Sequence, residues 1–514
     1  MYLYRCCYHY NPNPEDGGKM LEFETPAGNM YAWDDEKGLF IPFSPTMSAV
    51  MNEFSNQETL SKEKIIAHLK EKFNIDEIAF CYDWLKKWEK IKLPNYKSQI
   101  PQNVDISNVK NYILVHCLSQ LTLCVTEDCN FRCKYCTFSD FYEYNRGYSN
   151  KYMDFIIAKK AIDCYLSLLE EGKRYNPLRK PVIGFYGGEP LLNFKLIKTC
   201  VEYIENKYSS WNVLHVITTN GSLLDREKAN WFMEHDFVIS ISLDGPEAEH
   251  NRLRVYSNGR GTFSDVIENI SPMMEARYKE IYSLPVFDWK SDLFKREEFF
   301  IRKDIPPVAR ASLVTNVEGC KYYEQFTKED YLAFLGQLEM ARTYYFKDLN
   351  NQIQKEKASF FDKLVGQIPG DDLFNGISIY PPPPIMPLTG ACVPGRKMFV
   401  DVNGNYHVCE RVNNAFPIGN VDEGLNFEKI GKLISDYISH MDKCLSCKVS
   451  RKCTCCYQTF TTDKEFSYSS KVCEKIESFR KDSFVKSFSI AESNPEFVEE
   501  TDYRYKNVKK HYGE

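Results

Sequence analysis

The chain lacks any run of about eighteen apolar residues. Its first ten residues, Met1-Tyr-Leu-Tyr-Arg-Cys-Cys-Tyr-His-Tyr, hold no basic segment followed by a long apolar one. Neither a membrane span nor a secretory signal is expected, and the chain reads as cytoplasmic. A surplus of positive charge is missing too: 65 Lys and Arg against 71 Asp and Glu leave a net charge of −6. Nucleic acid would feel no general attraction, which disfavours an RNA substrate. The composition, 43% hydrophobic and 26% charged, is that of a folded globular protein. A chain of 514 residues leaves room for about three domains.

Cysteine is not scarce, and its distribution is uneven. Of 19 cysteines, three lie in Cys129-Asn130-Phe131-Arg132-Cys133-Lys134-Tyr135-Cys136, and eight lie between Cys392 and Cys473. In a large chain without a signal segment such clusters point to metal or redox chemistry. Cys6, Cys7, Cys81, Cys117, Cys124, Cys164, Cys200 and Cys320 are scattered and read as small apolar residues.

The first group has three thiols and no fourth. A structural zinc asks for four ligands, whereas a cubane iron-sulfur cluster on three cysteines keeps one iron open. The aromatic Tyr135 completes the pattern C-x3-C-x-aromatic-C, and here the chain resembles the radical S-adenosylmethionine (SAM) superfamily. The resemblance implies that SAM chelates the open iron through its amine and carboxylate, and that an electron from the cluster releases a 5'-deoxyadenosyl radical. A three-cysteine zinc loop that borrows a distant histidine is the other reading.

Before this motif, strand-like segments at Met20–Glu24 and Met30–Trp33 flank a turn at Pro26-Ala-Gly28. Helical patterns follow from Ser44 through Phe54, from Ser61 through Phe73 and from Asp76 to about Trp88. This order of elements resembles the winged-helix-like PqqD recognition element, which implies that residues 1–97 take up the leader of a precursor peptide as an added strand. A packing module without a ligand is the alternative.

From Leu121 onward, strands are expected at Leu121–Val125, Val182–Tyr186, Val213–Thr218, Val238–Ser242, Ile281–Phe287 and Ala309–Thr315, with helices between them. Pro285 weakens the fifth. Six strand-helix units fit a partial (β/α)6 TIM barrel over residues 115–375, with its site at the carboxyl ends of the strands. The second strand ends in Gly187-Gly188-Glu189-Pro190, the third in Thr219-Asn220-Gly221, and the fourth in Ser242-Leu243-Asp244-Gly245. In the resembled family the Gly-Gly-Glu-Pro motif holds the SAM amine, and hydroxyl and amide groups at strand ends suit its ribose and carboxylate. His250-Asn251-Arg252-Leu253-Arg254 resembles the family's H-D-x-x-R with Asn251 in place of Asp, making Arg254 the candidate partner of the SAM carboxylate.

Pro381–Pro384 cannot be helix and reads as a stiff linker. Residues 385–480 then resemble the SPASM extension, which holds two auxiliary 4Fe-4S clusters in related maturases. By that resemblance Cys444, Cys447, Cys453 and Cys473 hold one cluster, and Cys392, Cys409 and Cys456 hold the other with one iron open. Tyr457 stands where the family has a cysteine, so Cys456, or else Cys455, takes over. Glu410 matches an acidic proton acceptor of sulfatase maturases. A zinc-knuckle reading of Cys444, Cys447, Cys453 and Cys456 competes. Residues 481–514 read as a tail in which no chemistry is visible.

The expected protein is an α/β enzyme with SAM and three 4Fe-4S clusters, acting on a ribosomally made precursor peptide and reduced by a flavodoxin or ferredoxin. Thioether formation to a substrate cysteine is the expected chemistry. Formylglycine formation in a sulfatase, RNA modification and a non-enzymatic zinc scaffold are the rivals.

Overall fold

A computed structural model describes residues 20–35, 38–56, 61–89, 104–317, 319–347, 359–366, 391–440, 442–460 and 470–494, with a few positions between them. The Pro381–Pro384 linker and the last residues of the tail lie outside the described residues.

The chain opens with β1 (Leu21–Glu24), β2 (Met30–Asp34) and β3 (Leu39–Pro42), a three-stranded antiparallel sheet. The expected hairpin turn is made by Gly28 in left-handed conformation (φ +80°), its N–H donating to Thr25 O at 2.8 Å. β3 was not foreseen, because four residues after a turn carry too little pattern. Three helices follow, α1 (Pro45–Asn56), α2 (Lys62–Leu69) and α3 (Ile75–Glu89). Ala32, Ile41, Met47, Val50, Ile65 and Ile78 form the core between sheet and helices.

The second body is a central parallel sheet with helices packed on it. Its strands are β4 (Gln120–Thr126), β5 (Val182–Gly187), β6 (Leu214–Thr219), β7 (Val238–Ile241) and β8 (Ile281–Ser283), paired in that order, each parallel to the next. The connections run through α4 (Phe155–Gly172), α5 (Phe194–Lys207), α6 (Arg226–Glu234), and the pair α7 (Glu247–Leu253) and α8 (Phe263–Glu275). Asp154 and Asp225 start α4 and α6 by accepting from Ile157 N and Lys228 N. β4 is buried at every position but its first, as a parallel strand covered on both faces must be.

The fifth expected strand is broken at Leu284-Pro285 into β8 and β9 (Val286–Phe287), since proline has no N–H for a ladder. After α9 (Leu293–Phe300), the sixth shrinks to β10 (Ser312–Leu313), parallel to β9. A helix, α10 (Lys328–Lys347), then covers this end.

The cysteine-rich segment does not stand apart. Its first strand, β11 (Lys397–Val400), pairs in parallel with β4. β12 (Asn405–His407), β13 (Gly419–Asn420) and β14 (Gly424–Leu425) continue the sheet to nine strands, and α11 (Phe427–Ser439) follows. The last helix, α12 (Ser470–Ser493), runs well into the stretch from 481 that reads as a tail, and packs on the outer face of the amino-terminal sheet. There Phe484 and Val449 join Leu21, Phe23, Tyr31 and Trp33 in one core, and Glu492 accepts from Thr25, Asn29 and Tyr31. No described helix is long and apolar enough to cross a membrane.

Candidate active site

The strand ends of β4, β5, β6 and β7 converge on the three-cysteine loop. Asp128 N donates to Thr126 Oγ1 at 3.0 Å where β4 gives way to the loop. Gly188 N and Glu189 N donate to Thr126 O and Asp128 O at 2.9 and 2.8 Å, so the Gly-Gly-Glu motif is bonded to the chain that leads into Cys129. Gly187 has φ +143°, and a Cβ there would stand 2.1 Å from Thr126 O. At Gly188 it would stand 2.1 Å from Asp128 O and 3.1 Å from Cys129 Cβ. Only glycine lets the two segments lie this close.

Glu189 is wholly buried. Its carboxylate accepts from Leu191 N (2.9 Å), Thr219 Oγ1 (2.6 Å) and Asn220 N (2.7 Å). These bonds tie the end of β5 to the end of β6 and occupy three of roughly four acceptor positions. Burial raises its pKa to about 7, against those donors. Pro190, buried, opens the short turn that Glu189 caps. Asn220 Nδ2 donates to Asn130 Oδ1 at 2.9 Å, and Asn130 Nδ2 donates to Ser222 Oγ at 2.9 Å. Asn130 and Ser222 thus orient the cysteine loop, a role that spacing alone did not reveal. Ser242, half-buried, joins β7 to this layer by donating its N–H to Thr219 O at 2.9 Å.

Beneath the loop lies a buried ionic knot. Asp244 accepts from Tyr135 OH and Arg254 Nε, both at 2.9 Å, and from Val286 N at 2.9 Å. Arg254 is 7% exposed, lies 5.2 Å from the Tyr135 ring centre, and places Nη1 3.9 Å from Cys133 Sγ. The charge expected to meet a ligand carboxylate is therefore already paired with Asp244, and its free edge faces the cysteine loop. Burial opposes the charged Asp244, but the adjacent Arg254 outweighs it and holds the carboxyl below its ordinary range. Asn251 Oδ1 accepts from Thr262 N and Phe263 N and so starts α8.

His250 sits in the same knot, wholly buried. Its Nδ1 accepts from Asp244 N at 3.3 Å and its Nε2 lies 2.9 Å from Thr262 Oγ1, which itself donates to Arg254 O. The ring is the neutral Nε2–H tautomer. Burial lowers its pKa to about 3. As pH falls below about 6.5 the unfolded chain takes up this proton first. The apo-protein should lose stability on that account from pH 6.5 down to about 3, on the order of 4 kcal/mol at full extent. Denaturation midpoints measured across that range check it, and His250→Gln should flatten the slope.

Burial pushes the Cys133 thiol up to about 12 and raises Cys129 as well, with the neighbouring thiols adding to each. Loading a metal group here must release protons. Among the described residues no three His, Cys, Asp or Glu side chains converge on a single metal ion. The loop's three thiols are close enough to act on one another's charge. The three-thiol donor set, the glycine cradle beside Cys129 and the Arg254 edge at Cys133 fit an iron-sulfur cluster.

Across the mouth of the sheet, Glu410 lies 3.6 Å from Lys397 Nζ, and its buried Oε2 has no hydrogen-bond partner. Tyr186, at the end of β5, faces it: burial raises this phenol, with the Glu410 and Cys136 charges adding. The exposed Arg310 and Arg411 flank the pair.

The carboxyl-terminal cysteines form two neighbourhoods. Burial pushes Cys409 up to about 11, with Glu410 and Cys456 adding. Tyr457 lies beside Cys392 and Cys456, packs its ring at a tilt 4.7 Å from that of Tyr437, and donates its hydroxyl to Met386 Sδ. It is a core residue wedged where the resembled family has a ligand. In the other group Cys447, pushed up by burial to about 11, neighbours Cys453. Cys455 N donates to Cys453 Sγ at 3.4 Å and its thiol neighbours Cys473, and Cys447 N donates to Cys444 O at 3.3 Å. Cys456 neighbours both Cys409 and Cys455.

Residues 123–287 match the radical SAM superfamily. An uncharacterized protein of Methanocaldococcus jannaschii is 38% identical over 157 residues, 30% of this chain and 49% of its own, so the match spans about half that relative. A cysteine-type anaerobic sulfatase-maturating enzyme of Clostridium novyi is 24% identical over 349 residues, 64% of this chain and 85% of its own. A solved structure, native anSMEcpe with bound AdoMet, superposes with a TM-score of 0.52 at 19% identity, covering 75% of this chain and 99% of that one, and so shares the fold. The superfamily implies SAM and a 4Fe-4S cluster. With its three-cysteine loop at the mouth of a parallel sheet, this chain carries over residues 123–287 a segment that matches the radical SAM superfamily.

Proposed function

We propose that the enzyme modifies a peptide, and that it joins a substrate cysteine sulfur to a carbon of the same peptide. The observation that carries this reading is that Tyr186 feels the charges of both Glu410 and Cys136, while Cys409 feels those of Glu410 and Cys456, which links the two cysteine groups through Glu410. A cluster on the first group, with SAM on its open iron, supplies a 5'-deoxyadenosyl radical. The strands β4 to β10 are then the partial barrel, and Gly187, Gly188, Glu189, Pro190, Thr219, Asn220, Ser242, Asp244 and Tyr135 shape the SAM cradle, some by contact and some from beneath. Arg254 acts on the cluster side of that cradle.

In this reading Cys444, Cys447, Cys453 and Cys473 hold one auxiliary 4Fe-4S cluster. Cys392, Cys409 and Cys456 would hold the other, which would bind the substrate thiolate and accept the one electron left over when the carbon radical joins the sulfur. Glu410, whose Oε2 pairs with Lys397 at 3.6 Å and makes no hydrogen bond, takes the proton released at the substrate. The amino-terminal sheet and helices take the leader of a precursor peptide, and a cytoplasmic flavodoxin or ferredoxin supplies electrons.

Formylglycine formation is the second reading, favoured by the name and the long alignment of the Clostridium novyi relative. Mass analysis of a cysteine-containing peptide after anaerobic turnover separates them. A thioether leaves the peptide lighter by a hydrogen pair with all sulfur retained, and Glu410→Gln lowers product at least tenfold while deoxyadenosine release continues. Exchange of the cysteine sulfur for oxygen would install the second reading instead.

A further inference from the structure

Arg146 follows the cysteine loop and is 8% exposed. Its guanidinium stacks 4.3 Å from the Phe399 ring centre, on β11. Nε donates to Asn414 Oδ1 at 2.6 Å and Nη2 to Val412 O at 2.8 Å. Nη1 is buried and has no partner.

A buried guanidinium normally sits against a carboxylate, because an unpaired charge in the interior costs several kcal/mol. Among the described residues Arg146 has no such ion pair. The two carboxylates nearest in charge, Asp401 and Glu127, make no ion pair with it and are hydrogen-bonded to other groups. Asp401 accepts from Asn403 N, Asn405 N and His407 Nε2, each at 2.9 Å, and Glu127 accepts from Ser149 Oγ at 2.5 Å. Through Val412 O the guanidinium is tied to the chain three residues past Cys409, and Cys124 and Cys409 are the sulfurs whose charge acts on it. Cys124 is buried inside β4 and donates its S–H to Thr126 O at 3.5 Å, so it is a filled core position. Cys409 remains. A thiol that binds metal gives up its proton and becomes the anion this cation lacks.

We propose that Arg146 is the counter-charge of the auxiliary centre held by Cys409, donating through Nη1 to its sulfur, and that it keeps the reduction potential of that centre high. The inference rests on the reading that Cys392, Cys409 and Cys456 hold a cluster. A fixed positive charge and an N–H donor beside a cluster favour its reduced, more negative state. Arg146 is a positioning and tuning residue, since it touches the ligand rather than the substrate.

The test uses the full chain with Cys129, Cys133 and Cys136 replaced by alanine, reconstituted anaerobically so that only auxiliary signals remain, and titrated under electron paramagnetic resonance. Arg146→Gln should lower the midpoint of one auxiliary signal and leave the other in place, and Arg146→Lys should fall between Gln and wild type. Unchanged midpoints at unchanged iron content would overturn the inference. If Arg146→Gln loses iron, the Lys variant decides: iron retained supports a charge requirement, iron lost rejects it. Failure of the underlying reading is seen separately, as wild-type protein with iron for one auxiliary cluster or none.

Discussion

Replacing Cys129, Cys133 and Cys136 together by alanine is expected to give a folded protein that releases no 5'-deoxyadenosine under strong reduction and binds about four fewer irons per chain. The fold should survive because the anchors of this loop are not its thiols. Phe131 packs into the central core and Tyr135 bonds to Asp244, while Arg132 N and Lys134 N donate to Val255 O and Leu253 O at 2.8 Å. Activity should fall to the uncatalysed background, since the three sulfurs are the donor set on which the radical chemistry depends. Iron content and product analysis by chromatography check both halves. Deoxyadenosine release from the triple variant would move the reaction centre elsewhere.

Asp244→Ala should cost about 3–5 kcal/mol of stability, because it strands a buried cation. Arg254 has its Nε on this carboxylate, and Tyr135 OH and Val286 N lose their acceptor as well. Arg296 is wholly buried, donates to the backbone carbonyl of Asp244 and pairs with Glu249 at 3.0 Å, so it keeps its own partner and the stranded cation is Arg254. Denaturant unfolding of the apo-protein gives the loss directly. Asp244→Asn should cost less, since its oxygen still accepts one of these bonds. Adding Arg254→Met to Asp244→Ala should recover part of it, as removal of both charges relieves the burial penalty. Additive losses would refute the ionic account.

Strand ends were the legible part of this chain. Apolar runs placed β4 to β7 within a residue or two, and Gly187-Gly188-Glu189, Thr219-Asn220 and Ser242–Asp244 do lie together around the cysteine loop. Which way the polar groups point was not legible. Asp244 and Arg254 read as ligand contacts by position, yet most of their bonding capacity is spent on each other and on Tyr135, which only the three-dimensional arrangement of β7, α7 and the loop reveals. Pro285 announced a weak strand but not that β10 would be two residues long. Arg146 carried no motif, because its meaning comes from Phe399, Val412 and Cys409, all far along the chain. Tyr457 was read as a missing ligand, and its bond to Met386 with the tilted packing of its ring on Tyr437 explains what fills that place.

The parallel pairing of β11 with β4 has a bearing on how the molecule is made. Ser119, at the start of β4, bonds to Arg396, just before β11, across 277 residues of chain. During synthesis β4 therefore emerges early with one flank open and waits for most of the protein to be translated before that flank is closed. Loop closure over such a span is slow, and an apolar strand left open that long is an invitation to pair with the wrong neighbour. The growing chain would thus depend on a holdase at this edge until the carboxyl-terminal hairpin arrives.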